Sequence, residues 1–285
     1  SNYSYAEIEA ALHSIPLQRI GLMILFAAAS YLCLTGFDWL AIRYVGRDIP
    51  YPKIALASFC SLSLGHNIGF AALSSGAIRY RFYTRWGASA GDVAKIIVFC
   101  GITVGLGLAV LGGFAILLRS DLAARVTGLP EGAVILLGTA SLVLAILYVA
   151  LSAWRQKPVH VWKWRIQIPP LRLALAQIVI GPINFAFVAA CLYQALAAVV
   201  EDVSYLEVAA VYVIANLTSL ISHVPGGLGV IETVVLYLLP GANVIGALVA
   251  FRVVYFLLPL AIGAPLFAIT ELVLKHSKTH VRGKR

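Results

Sequence analysis

Long apolar runs set the pattern of this chain. Four of them hold at most one charged residue each: Ile20–Ala41, Ile96–Leu118, Ala133–Trp154 and Leu173–Val200. A further stretch, Thr233–Thr270, is interrupted only by Arg252. Crossing a bilayer takes about 20 apolar residues, and lipid admits only helices or closed barrels. Because the runs lack the alternation of barrel strands, they predict an all-α polytopic membrane protein, a helical bundle.

Composition agrees with that pattern. Hydrophobic residues make up 61% of the 285 residues and charged residues 12%, whereas about a quarter of a soluble domain is charged. The four cysteines lie inside apolar runs without the spacing of metal ligands, so we expect no metal site and no cofactor. The net charge of +9 comes from loops beside the runs, which argues against nucleic acid as a partner.

The basic residues also predict the orientation of the runs. Lys and Arg cluster in residues 43–53, 79–95, 155–172 and 275–285, whereas residues 201–207 are acidic. By the positive-inside rule the basic loops and the C-terminus face the cytoplasm, which favours the inner membrane of a bacterium. Segments of about 54–86 and 208–239 then enter and leave on the same side. We therefore expect one transmembrane domain over 1–285 with two re-entrant helical hairpins.

Three shorter segments carry further predictions. The N-terminus falls on the outer side, so we expect an upstream helix that restores a cytoplasmic start, with Tyr5–Leu17 as an amphipathic helix on the outer surface. Strict alternation over Trp162–Ile168 predicts a strand that pairs with Pro158–Val161 in a small cytoplasmic β-hairpin. The segment Arg119–Glu131 is predicted to be an outer loop.

The two hairpin segments resemble each other. Ser74–Arg79 and Gly227–Glu232 align when Gly76 is placed on Gly229, an offset of 153 residues. Three crossings lie between them, so one hairpin opens inward and the other outward, as in the inverted repeats of transporters. In such proteins the binding site lies near the bilayer midplane, between the hairpin tips.

Helix-breaking residues are dense in these segments. The clusters are His66-Asn67, Ser74-Ser75-Gly76 and Pro225-Gly226-Gly227-Leu228-Gly229. Broken backbone at membrane depth is tolerated where it lines a cavity or is buried in protein. A helix that starts after Gly229 would point its positive end at a phosphate. Tight helix packing is the alternative role of glycine, and we prefer it for the glycines of a continuous run: Gly101, Gly105 and Gly107.

Four ionisable residues lie at membrane depth, where each costs roughly 3 kcal/mol. We expect Asp38 to pair with Arg79 near the cytoplasmic level, and Glu232 to pair with Arg252 near the outer half. Two roles stay open for these pairs: contact with a substrate, or structural locking of the bundle. Glu271 is expected to be interfacial and structural.

Further polar residues extend the candidate site. Arg81 lies in the basic segment after the first hairpin break, and Asn184 follows a predicted kink at Gly181-Pro182. Asn184 either lines the path or bridges helices. Neither His223 nor His66 has clustered carboxylate or cysteine partners, so we expect both to form hydrogen bonds at helix breaks rather than bind a metal.

Enzyme signatures are absent from the sequence. Gly105-Leu106-Gly107 lies inside a hydrophobic run rather than in a nucleotide-binding loop, and neither Gly-x-Ser-x-Gly nor His-Glu-x-x-His occurs. We therefore expect a protein that is not an enzyme and that does not use ATP by itself.

Three segments carry a resemblance to a known family: Phe37-Asp38-Trp39-Leu40-Ala41, Ser75–Tyr83, and Ser222–Glu232 with its Pro-Gly-Gly-x-Gly-x-x-Glu string. They resemble the transmembrane region of lysylphosphatidylglycerol synthases and the stand-alone inner-membrane proteins of the YbhN type. In the bifunctional members this region is similar to a flippase that moves aminoacylated phosphatidylglycerol between leaflets. A separate soluble domain of those members makes the lipid.

The resemblance implies a flippase or scramblase for anionic or aminoacylated phospholipids of the phosphatidylglycerol type. Arg79 and Arg252 would hold the phosphate, and Glu232 or Asp38 would hold an ammonium group, because bare charge in hydrocarbon is expensive. The expected partners are membrane phospholipids, a second copy of the chain, and a lipid synthase, either separate or fused. The alternatives are a solute or ion transporter built on the same hairpins, and a lipid-binding scaffold that transports nothing.

Overall fold

A computed structural model describes residues 15–68, 71–154, 159–161, 164–166, 168–222, 228–238 and 244–282. The helices in these ranges are α1 (Leu17–Tyr44), α2 (Tyr51–Ile68), α3 (Ala71–Arg85), α4 (Ala90–Leu118), α5 (Ser120–Thr127), α6 (Glu131–Trp154), α7 (Leu171–Leu196), α8 (Tyr205–Ser222), α9 (Val230–Leu238), α10 (Val244–Arg252) and α11 (Leu258–Arg282). A π-helical turn, Val253–Leu257, joins α10 to α11.

The protein is an all-α polytopic membrane protein. Among the described residues, five helices are long and apolar enough to cross a membrane: α1, α4, α6, α7 and the continuous stretch Val244–Val273. These are the five predicted spans. Large apolar side chains point outward from them, most of all from α6, where Leu136, Leu144 and Ile146 are exposed. In a bilayer such side chains contact lipid.

Two pairs of shorter helices are not among these spans. We name α2 and α3 hairpin 1, and α8 and α9 hairpin 2. They occupy residues 51–85 and 205–238, close to the segments predicted to be re-entrant. Helix α9 has 9 residues and is therefore about 14 Å long, roughly half the thickness of the hydrocarbon core. Re-entry of the two hairpins stays a prediction.

The helix boundaries repeat along the chain. Helices that begin at Leu17, Tyr51 and Ala90 are followed, 154 residues later in each case, by helices that begin at Leu171, Tyr205 and Val244. The offset differs by one from the predicted 153, within the variation of helix ends. The packing repeats as well: α4 contacts hairpin 2 through α8, and α11 contacts hairpin 1 through α2. We name residues 17–118 unit 1 and residues 171–282 unit 2. The long final helix of each unit thus packs against the hairpin of the other unit.

Proline and serine residues define where many helices begin. Pro16, Pro50, Pro130 and Pro170 lie directly before helices, and their carbonyl groups accept the first hydrogen bonds of those helices. Proline suits this position because it has no N–H group to leave unpaired. Ser89 caps α4 in a reciprocal arrangement with Asp92.

The predicted break at Ser74-Ser75-Gly76 is wrong. These residues lie inside α3, which begins at Ala71. Small residues are present here because helices approach closely: a Cβ atom on Gly65 would lie 2.8 Å from Ser75 Cβ, and one on Gly76 would lie 2.9 Å from Ile97 Cδ1. Packing between helices explains them better than a broken backbone does.

The packing role predicted for three glycines holds for one of them. A Cβ atom on Gly107 would lie 2.7 Å from the carbonyl carbon of Gly181, so α4 and α7 cross at these two glycines. Gly101 and Gly105 have open space within 4 Å of the same position. The prediction is wrong for these two residues, because they lie on parts of α4 that no described helix approaches.

The structure confirms one of the predictions for the segments outside the spans and adds detail to another. Strands β1 (Val159–Val161) and β2 (Trp164–Ile166) pair antiparallel, which confirms the predicted β-hairpin. The predicted outer loop contains a short helix, α5, which ends at Gly128 with a left-handed φ of 67°. The predicted surface helix of Tyr5–Leu17 lies almost wholly outside the described residues.

Candidate functional site

The pair of Asp38 and Arg79 joins α1 to α3 in the interior of the bundle. Arg79 Nε donates to Asp38 Oδ1 at 2.8 Å, and Arg79 Nη2 donates to Asp38 Oδ2 at 2.7 Å. The exposed fraction of the side chain is 5% for Arg79 and 0% for Asp38. The predicted ion pair is therefore present, and protein surrounds it.

Neighbouring hydroxyl groups complete the bonding of Asp38. Tyr83 Oη donates to Oδ1 at 2.7 Å, and Ser58 Oγ donates to Oδ2 at 2.8 Å. Together with the bonds from Arg79, each carboxylate oxygen accepts two hydrogen bonds, which uses its lone pairs. Arg79 Nη1 also donates to Ser75 Oγ at 3.2 Å. Asp38 thus holds both helices of hairpin 1 against α1, and in this arrangement it offers no acceptor to a ligand.

The second pair, Glu232 and Arg252, joins α9 to the end of α10. Arg252 Nε donates to Glu232 Oε1 at 2.6 Å, and Arg252 Nη2 donates to Glu232 Oε2 at 3.0 Å. The exposed fraction of the side chain is 12% for Arg252 and 26% for Glu232. This predicted pair is also present, but both partners reach the surface of the bundle.

Backbone at the start of α9 supports the Glu232 carboxylate. Gly229 has a φ of 77°, a conformation that favours glycine. Its N–H donates to Glu232 Oε2 at 2.9 Å, and its carbonyl accepts from Thr233 Oγ1 at 2.6 Å. The amide of Gly229, expected to be open to a phosphate, is therefore bonded to a carboxylate that the helix dipole stabilises.

The π-helical turn Val253–Leu257 brings the two hairpins together. The Arg252 guanidinium carbon lies 4.9 Å from the ring centroid of Phe256. The Phe256 carbonyl accepts a hydrogen bond of 3.3 Å from Asn67 Nδ2, near the end of α2. The Phe256 ring contacts the ring of His66, with 6.2 Å between centroids. The end of hairpin 1 and the ion pair of hairpin 2 thus meet at one turn of the last span, and π turns are frequent at functional sites.

Two arginines of hairpin 1 bind Glu271, which lies near the middle of the last helix, α11. Arg81 Nη2 and Arg85 Nη1 both form ion pairs with Glu271, and Arg85 Nη2 donates to Glu271 Oε2 at 3.0 Å. We name this contact the Glu271 latch. The latch gives Arg81 a partner on α11, although the Arg81 side chain is about half exposed.

A second latch joins the other unit. Arg119, at the end of α4, lies 3.1 Å from Glu207, in the first turn of hairpin 2. The backbone N–H of Ser204 and the charge of Arg119 lower the pKa of the Glu207 carboxyl, which keeps it charged. We name this contact the Glu207 latch. Each latch therefore ties the final long helix of one unit to the hairpin of the other.

Asn184 lies at the centre of a buried helix contact. Ser30 Oγ donates to Asn184 Oδ1 at 2.8 Å and lies 2.9 Å from Tyr255 Oη. These bonds join α1, α7 and the π turn, and Asn184 is buried. Of its two predicted roles, the contacts favour the bridge between helices. The helix contains Pro182, as the predicted kink requires.

The remaining candidates of the glycine-rich string lie outside the described residues: His223, Pro225, Gly226 and Gly227. Their role in the site stays a prediction.

Sequence reasoning missed a buried polar network around Gln177. Gln177 Nε2 donates to Thr103 Oγ1 at 2.8 Å and to the Phe99 carbonyl at 3.2 Å, and Tyr148 Oη donates to Gln177 Oε1 at 2.6 Å. The network joins α4, α6 and α7. A glutamine inside the apolar run Leu173–Val200, which contains Gln177 and Gln194, was the available signal, because a buried amide needs partners.

Comparison with known proteins shows the family of this chain. Residues 1–263 match the family described as the lysylphosphatidylglycerol synthase TM region. The uncharacterized protein slr0712 of Synechocystis sp. (strain ATCC 27184 / PCC 6803 / Kazusa) is 32% identical over 263 residues, which cover 91% of this chain and 81% of that protein. The inner membrane protein YbhN of Escherichia coli (strain K12) is 26% identical over 268 residues, 90% of this chain and 80% of that protein.

Proposed function

We propose that this chain, which belongs to the family of the lysylphosphatidylglycerol synthase transmembrane region, moves phospholipids between the leaflets of a bacterial inner membrane. The lipids would carry anionic or aminoacylated headgroups. The protein would act as a flippase or scramblase and not as an enzyme. The similarity to YbhN, an inner membrane protein by name, supports the location, and the family supports a role connected with membrane lipid.

The Glu232–Arg252 pair is the observation that carries the proposal. Both side chains are partly exposed. Glu232 lies in the first turn of α9, and Arg252 lies directly before the π turn. A headgroup with a phosphate and an ammonium could replace each partner: the phosphate would bind Arg252, and the ammonium would bind Glu232. Charge stays balanced during this exchange, so no bare ion enters the hydrocarbon.

The two ion pairs then have different roles. Asp38 and Arg79 were candidates for the ammonium and the phosphate, but their bonding is saturated and they are sealed from the surroundings. We propose that they fix hairpin 1 to α1 and do not contact lipid. Of the two roles left open for these pairs, structural locking fits Asp38 and Arg79, and contact with a substrate fits Glu232 and Arg252.

The repeat supplies a means of alternating access. The Glu271 and Glu207 latches each join one unit to the other unit's hairpin, and an inverted repeat would place them on opposite faces of the membrane. Opening one latch while the other stays closed would admit a headgroup from one side only. The acyl tails would remain in the bilayer while the headgroup passes the π turn.

Leaflet exchange in liposomes tests this function. Purified protein should exchange aminoacylated phosphatidylglycerol, labelled on an acyl chain, faster than empty vesicles do. Arg252→Gln should slow that exchange at least about tenfold, since a charge-assisted contact contributes about 1.5–3 kcal/mol. Glu201→Gln is the matched control, because Glu201 is an exposed carboxylate on the turn before hairpin 2, and it should exchange lipid at the wild-type rate.

The same vesicles separate the alternatives. A solute or ion transporter would change the vesicle contents without moving lipid, and a scaffold would bind lipid without either effect. Exchange no faster than in empty vesicles contradicts the proposed function.

A further inference from the structure

His66 Nδ1 is a buried polar atom with an unmet hydrogen bond. It is shielded from solvent, and none of the residues that the structure describes bonds to it. The adjacent Asn67 is satisfied, since its amide donates to the Ser63 and Phe256 carbonyls. Leaving such an atom unpaired costs about 1–3 kcal/mol. The sequence predicts that His66 forms a hydrogen bond at the helix break, and this arrangement leaves its Nδ1 without one.

The position of His66 connects it to the Glu232–Arg252 pair. Its ring contacts Phe256 at 6.2 Å between centroids, and Phe256 in turn lies 4.9 Å from the Arg252 guanidinium carbon. His66 therefore approaches from hairpin 1 the same π turn that carries the ion pair of hairpin 2. The Phe256 ring therefore contacts both the imidazole of His66 and the guanidinium of the pair.

The chemistry of an ammonium group explains what the imidazole adds. An ammonium has three N–H donors, and Glu232 Oε2 already accepts from the Gly229 amide. The carboxylate alone leaves part of the ammonium unpaired in a dry site, which is costly. A neutral imidazole has one acceptor nitrogen and can take the remaining donor.

We infer that His66 is a further headgroup-binding residue, whose Nδ1 accepts a hydrogen bond from an N–H or O–H group of the lipid headgroup. This inference rests on the proposed function. It selects lipids by a specific property: ethanolamine, glycerol and aminoacyl headgroups carry such donors, whereas choline carries none. A choline lipid would leave Nδ1 unpaired and would cross more slowly.

Paired exchange rates in liposomes test the inference. Phosphatidylethanolamine and phosphatidylcholine, each labelled on an acyl chain, are compared in the same preparation. Wild-type protein should exchange the ethanolamine lipid about tenfold faster, the factor that one unmet hydrogen bond gives. His66→Phe should bring the ratio near one. Ser152→Ala, which removes the other buried unbonded polar atom of the described residues, should leave the ratio unchanged.

Two polar variants guard against a simple loss of folding. His66→Asn places an amide oxygen near the position of Nδ1 and should keep the preference, whereas His66→Gln reaches the position of Nε2 and should lose it. Equal wild-type rates for the two lipids, or a ratio that survives His66→Phe, would overturn this inference while leaving the proposed function intact. A wild-type protein that exchanges neither of these lipids nor aminoacylated phosphatidylglycerol overturns both.

Discussion

Asp38–Arg79 and Glu232–Arg252 use the same two functional groups in two different settings. In the first pair, Tyr83 and Ser58 fill the remaining lone pairs of the carboxylate, and neither charged side chain is more than 5% exposed. In the second pair, the exposed fractions are 12% and 26%. An ionisable residue at membrane depth is therefore not a substrate site by default, because its neighbours decide whether a ligand can replace its partner.

The internal repeat allows the two ion pairs to be compared position by position. Arg79 and Glu232 occupy nearly equivalent positions in the second helix of each hairpin, but their charges are opposite. Arg79 binds a carboxylate within its own unit on α1, whereas Glu232 binds an arginine on α10, next to the π turn. Hairpin 1 is thus anchored through a buried charge, whereas hairpin 2 carries the partly exposed charge that we propose changes partners.

A substitution that breaks the buried pair of Asp38 and Arg79 should lower the free energy of unfolding more than any other change considered below. Asp38→Asn keeps the shape of the side chain but leaves the Arg79 guanidinium buried without a counter-charge. The free energy of unfolding should fall by about 3–5 kcal/mol, measured by denaturant unfolding in detergent micelles. Glu232→Gln, measured alongside, should lose only about 1 kcal/mol because its pair is partly exposed. Equal losses in the two variants would show that the pairs do not differ.

A smaller effect concerns the backbone that supports the Glu232 carboxylate. Gly229→Ala should lower stability by about 1 kcal/mol, since alanine disfavours a φ of 77°, and it should also slow lipid exchange. Gly46→Ala is the matched control: its φ is 70°, and a Cβ atom added at either glycine would meet no other atom within 4 Å. It should lose the same stability and keep wild-type exchange. If both variants slow exchange equally, Gly229 has no special role.

The smallest effect concerns the latches. Glu207→Gln removes the charge that Arg119 binds, and a partly exposed ion pair is worth about 0.2–1 kcal/mol. Amide hydrogen exchange in hairpin 2 should therefore accelerate by up to about fivefold, while hairpin 1 stays unchanged. Glu271→Gln should do the reverse. Acceleration of both hairpins by either change would argue against two separate latches.

Sequence patterns predicted the spans and the partners of both ion pairs, because run length and charge level along the chain determine them. They did not predict which pair is sealed, since Ser58 and Tyr83 reach Asp38 only after three helices pack together. The helix break predicted at Ser74, Ser75 and Gly76 was wrong for a related reason, because small residues suit a close helix contact as well as a break. The π turn has no pattern of its own in the apolar stretch that contains it.

Lipid exchange per folded molecule distinguishes the roles of the two ion pairs most directly. Wild-type, Glu232→Gln and Asp38→Asn proteins are reconstituted, and the leaflet exchange of each is divided by its folded fraction. The corrected rate of Glu232→Gln should be at least about tenfold below that of the wild type. The corrected rate of Asp38→Asn should equal that of the wild type, because its total rate falls only in proportion to its folded fraction. A Glu232→Gln protein that exchanges lipid at the wild-type rate would show that Glu232 does not bind the headgroup.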